Sequence, residues 1–149
     1  MLTKLLPDQV SKFWDIIKYA VEQSLPPIVG ESPDKMRNIL SACLSGEIDV
    51  WASYKKEDDK TFFEGIVLTE TLYDKPSATK NLLVYCLYGY NEVDKFSWTD
   101  GLKLLLKYAK SRGYNQIVGY TDVQSIIKFV EKAGGEAKYT FISFDVNKY

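Results

Sequence analysis

The chain has 149 residues, 46% hydrophobic and 26% charged, with 19 basic and 20 acidic side chains and no histidine. A net charge of −1 argues against general affinity for nucleic acid or an anionic membrane. The missing histidine excludes a His general base, Ser-His and Cys-His nucleophile pairs and any His-ligated metal.

The length suits a single domain, 1–149, that buries roughly 68–70% of its unfolded surface. Along the chain, residues 2–5 suit a short strand. Asp8 can cap a first helix, with Val10, Phe13, Trp14, Ile17 and Val21 at helical spacing. The opening stretch MLTKLLPDQV has no apolar core with a cleavage site, and no apolar run approaches the ~18–20 residues of a membrane span. The expected location is therefore cytoplasmic.

LPPIVGESP breaks the chain, and Ser32 followed by Pro33 starts a second helix. Its apolar face is Met36, Ile39, Leu40, Cys43 and Leu44, and Gly46 closes it. DVWASY, the charged stretch KKEDDK and TFFEGIVLTETLY predict a β-hairpin with a longer loop. NLLVYCLYGY, after the turn DKPSATK, is the third strand, and its apolar run predicts a central position covered on both faces.

Thr99 can cap a third helix whose stripe is Trp98, Leu102, Leu105, Leu106 and Ala109, ending at Gly113. NQIVGY is a short strand. Asp122 can cap a fourth helix bearing Val123, Ile126, Ile127 and Val130, AGG stops it, and AKYTFISFDV alternates as a final strand. Helices between strands imply parallel pairing, and hairpins imply antiparallel pairing. The fold class is α/β (α+β), a mixed central sheet with helices on both faces.

Cys43 and Cys86, the two cysteines, read as buried reduced thiols rather than a disulfide or redox pair. The eleven tyrosines can pack their rings with hydroxyls reaching outward, or present an aromatic surface to another protein.

The element order, with LLLKYAKSRGYNQIVGY followed by SIIKFVEKAGGEAKYTFISFDV, resembles the GNAT (Gcn5-related N-acetyltransferase) fold. That resemblance implies an acetyl-CoA pyrophosphate loop of the form Q/R-x-x-G-x-G/A at the start of the third helix, where backbone N–H groups meet the phosphates. The basic or amide position of the loop falls on Val93 and the two glycine positions on Phe96 and Trp98. Lys95 is the remaining candidate for a phosphate contact. The family's tyrosine acid falls on Val130 and its asparagine near Val123, while Glu70 lies where some members carry a general base. The resemblance further implies that Phe96 or Trp98 fills the cleft between the third and fourth strands.

KFWDII, ACLSGEIDVW and IVLTET look closer still to the small GNAT-like proteins of tailed bacteriophages. That resemblance implies a catalytically degenerate, virion-associated or host-directed protein with a protein partner, no nucleic acid, no membrane and no cofactor. The alternatives are an active N-acyltransferase using acetyl-CoA on a remodelled loop, and a small-ligand binding module using the cleft between splayed strands.

Overall fold

A computed structural model describes residues 1–90 and 95–149, the side chains of residues 95 and 96 excepted. In chain order the elements are β1 (Leu2–Lys4), α1 (Pro7–Lys12), α2 (Trp14–Ser24), α3 (Lys35–Ser45), β2 (Ile48–Glu57), β3 (Lys60–Asp74), β4 (Thr79–Gly89), α4 (Lys95–Ser111), β5 (Gln116–Gly119) and α5 (Gln124–Lys132). A 3₁₀ turn spans Val146–Lys148. Residues 1–119 form one compact unit and residues 120–149 a second.

In the first unit the strands follow the order β1-β2-β3-β4-β5 in one sheet. The first four run antiparallel to their neighbours, and β5 lies parallel to β4, as a helical crossover through α4 requires. Period-2 alternation sorts the strand residues to two faces. Val50, Ala52, Ile66, Leu68 and Cys86 meet Val10, Ile17, Ala20, Val21, Ile39 and Cys43 from α1, α2 and α3. On the opposite face Trp51 and Val67 meet Leu105 of α4, flanked by Leu2, Val84, Leu87 and Tyr108. Thr69, buried in that second layer, accepts a hydrogen bond from the Trp51 indole N–H at 2.9 Å. The mixed sheet with helices on both faces is thus present.

Several element boundaries differ from the sequence expectation. The first helix is broken at Phe13, whose backbone (φ −106°, ψ 19°) ends α1 and starts α2. Asp8 lies inside the first turn of α1. The helix start is held instead by the Gln9 side chain, whose Oε1 accepts from the Leu6 N–H at 2.8 Å, with Pro7 in the first turn. α3 begins at Lys35 rather than Pro33, and Gly46 closes it at φ +84°, the left-handed conformation glycine tolerates. The predicted longer hairpin loop is a tight turn: β2 and β3 pair through Glu57↔Lys60, leaving only Asp58 and Asp59 to reverse the chain at φ +50° and +62°.

On α4, Thr99 lies within the helix rather than capping it, and Leu106 is exposed. Tyr108 takes the packing place assigned to Leu106, meeting Trp51 edge-on at 4.9 Å.

In the second unit α5 starts after Val123, not Asp122, and half-buries Ile126, Ile127, Phe129 and Val130. The Gly135 N–H closes the helix on the Val130 carbonyl at 2.9 Å. The predicted final strand is absent: residues 135–145 have no regular secondary structure. Phe141 packs edge-on against Tyr120 at 5.5 Å, while Tyr139, Ile142 and Phe144 are exposed.

Candidate functional site

The feature that sets one end of the sheet apart is a bulge in β4. Leu68 stands opposite Cys86 and Thr69 opposite Val84, so Tyr85 is an extra residue on β4. On its other edge β4 pairs with β5 only from Asn81↔Gln116 to Val84↔Gly119. Beyond the bulge, β4 continues to Gly89 while β5 has ended. The two parallel strands part there, and residues 85–89 present a strand edge with no β5 partner. Such an edge can hydrogen-bond an extended ligand through its backbone.

α4 begins at Lys95, six positions past the end of β4. A helix start offers free N–H groups and partial positive charge to an anion. The two positions matched to loop glycines, Phe96 and Trp98, both fall inside the first turn of that helix. Trp98 is half-buried, and the first glycine of α4 is Gly101, one turn further on. A Trp in that turn is bulkier than the glycine that lets a pyrophosphate approach backbone amides. Val93 lies outside the described residues, as do the side chains of Lys95 and Phe96, and with them the expected filling of the cleft by Phe96.

Glu70 lies on β3 opposite Ile48 and Leu83. It is half-buried. Burial, with the nearby Glu47 charge adding to it, raises its carboxyl above the ordinary range. Three groups near it, Tyr85, Cys43 and Cys86, are held in their neutral forms. Burial pushes the Tyr85 phenol up to about 12, with Cys86, Glu70 and Cys43 contributing. Burial likewise pushes Cys43 to about 12 and Cys86 to about 11, the latter against a hydrogen bond with the Ser24 hydroxyl that favours the thiolate. Both cysteines are free and buried, as expected.

Sequence reasoning missed how the aromatic residues gather. From Tyr19 the rings run to Tyr88 at 5.7 Å, to Tyr90 at 5.2 Å, to Phe63 at 6.4 Å and on to Phe13 at 5.0 Å. The Tyr90 hydroxyl donates to the Ile16 carbonyl at 2.7 Å, tying the end of β4 to α2. Exposed Ile16, Tyr19 and Phe62 border an open groove of about 470 Å³ beside this array. The signal in the sequence was the alternation of Tyr88 and Tyr90, which puts both rings on one face of β4.

Comparison with solved structures defines the class: the fold is the GNAT acetyltransferase fold. A probable acetyltransferase superposes with a TM-score of 0.70 at 14% identity, over 97% of this chain and 95% of that one. A predicted acetyltransferase from Clostridium acetobutylicum, solved with acetyl-CoA, gives 0.69 at 12% identity over 100% and 97%. Glucosamine-6-phosphate N-acetyltransferase from Arabidopsis thaliana gives 0.66 at 13% identity, over 97% of each chain. No family model and no curated protein sequence matches the chain. Among the described residues, no helix is long and apolar enough to cross a membrane and no side-chain cluster suits a metal ion.

Proposed function

We propose that this is a single-domain GNAT-fold protein of the tailed-phage kind that has given up acyl transfer and works through protein contacts, in the virion or in the host cytoplasm. The observation that carries the reading is Trp98, a large ring in the first turn of α4 where a phosphate loop needs glycine. By the match of FVEKAGG to the family's pattern, the tyrosine acid falls on Val130, a side chain with no proton to give. The exposed apolar border of Ile16, Tyr19 and Phe62 supports a protein-binding surface. In this reading the protein needs no cofactor and takes neither nucleic acid nor membrane as partner.

One observation favours a second reading, an N-acyltransferase with a remodelled loop. The Tyr85 bulge and the parting of β4 from β5 keep a strand edge free on which an acyl-CoA arm could lie, with Glu70 as the proton acceptor.

Thiol release from acetyl-CoA, followed across a panel of amine acceptors, separates the two. The first reading expects no acceptor-dependent release above the protein-free rate. Release that depends on both an acceptor and Glu70 would establish the second.

A further inference from the structure

A second groove lies between α1 and the β2–β3 hairpin and shares Thr61 and Phe63 with the first. Its floor is apolar. Leu5 and Phe63 are buried there, and the Phe13 ring packs edge-on against Phe63. Its rim is made of donors and cations. Lys12 comes from the last turn of α1 and Lys56 from the hairpin, so the two lysines line the groove from different elements. The Lys12 Nζ stands 5.3 Å from the Phe13 ring centroid, over the floor.

Gln9 has its Oε1 committed to the Leu6 N–H, which leaves its NH₂ as the remaining donor. Tyr54 and Thr61 complete the lining, and no acidic side chain belongs to it. Neither lysine forms an ion pair among the described residues. The volume, about 130 Å³, is close to the roughly 150 Å³ that admits a benzene ring.

Two lysines from different elements, neither in an ion pair among the described residues, beside an aromatic floor select a ligand by charge and by shape. The anionic end answers Lys12 and Lys56, and an apolar body covers Phe13 and Phe63. An inorganic anion would leave that floor open to water. We propose that this groove binds a small organic carboxylate, a single ring or short branched chain carrying one carboxyl group. The site does not depend on whether the parted strands hold a cofactor.

Phenylacetate serves as the probe, titrated into the full-length chain and followed by heteronuclear NMR. Saturable shifts at the amides of Lys12, Phe13 and Thr61 are expected, with a dissociation constant of about 1 mM or tighter. Phenylacetamide, which keeps the ring and loses the charge, should bind at least about tenfold more weakly, and inorganic phosphate should not saturate these amides. Lys12→Gln with Lys56→Gln should weaken phenylacetate by about tenfold or more at an unchanged urea midpoint, whereas Lys12→Arg with Lys56→Arg, which keeps both charges, retains binding. The proposal is overturned if the amide or phosphate binds as well as the acid. It is equally overturned if the glutamine pair leaves affinity intact, or if phenylacetate saturates elsewhere or not at all.

Discussion

Glu70 shows how one half-buried carboxyl sets a pH dependence. Its carboxyl is raised by burial and by Glu47. The folded chain therefore holds this proton at a pH where the unfolded chain has released it, and stability falls as pH rises through that window. The window opens at the ordinary value, about pH 4.5, and extends upward. Glu70→Gln should be at least as stable as the wild type at neutral pH and should lose less stability than it between about pH 4 and 7, measured by urea unfolding. A variant less stable at neutral pH would show that the ionised carboxylate has a favourable partner. The two thiols give a second expectation at this scale. With Cys43 near 12 and Cys86 near 11, a thiol reagent at about pH 8 should label neither in the folded chain and both in denaturant. Rapid labelling of the native protein would contradict the buried environment.

Among the elements, what was legible follows from what each pattern measures. The helical spacing of Val10, Phe13, Trp14, Ile17 and Val21 reads straight through the break at Phe13. Hydrogen bonds persist on both sides, from Phe13 N–H to Gln9 and from Ile17 N–H to Phe13, so the apolar stripe survives while the helix does not. On α4, Leu106 and Tyr108 flank the stripe of Leu102, Leu105 and Ala109 on opposite sides. Spacing alone cannot choose between the flanks. The choice is made by Trp51, whose ring receives Tyr108, and by Asp49, whose carboxylate accepts from the Tyr108 hydroxyl at 3.3 Å.

Residues 137–146 alternate as a strand should, but alternation reports on side chains, and a strand also needs a neighbour for its backbone. The hairpin shows a strong local signal misread. Charged residues from Lys55 to Lys60 suggested a loop, yet β-pairing runs to Glu57↔Lys60 and forces two aspartates to positive φ. Replacing Asp58 with Asn and Asp59 with Gly, residues at ease in that conformation, should raise stability by about 1 kcal/mol in urea unfolding. A neutral or negative change would mean that the aspartates are not strained by the turn.

Over the whole molecule, the architecture was readable because its determinants are distributed. Alternation in β2 and β3, an apolar β4 and a helix between β4 and β5 each point to the same mixed sheet, and an error in one boundary leaves the topology intact. The candidate site is different in kind. It rests on a few positions, Val93, Lys95, Phe96 and Trp98, whose meaning comes from where α4 starts. It also rests on one inserted residue, Tyr85, that no periodicity announces. β4 runs on past the end of β5, while Trp98 stands in the first turn of α4. Which of these governs is decided most directly by calorimetric titration of the full-length chain with acetyl-CoA and CoA. The account predicts no saturable heat up to about 1 mM ligand. A dissociation constant in the low micromolar range, about −8 kcal/mol, would contradict it and make the remodelled helix start a working cofactor site.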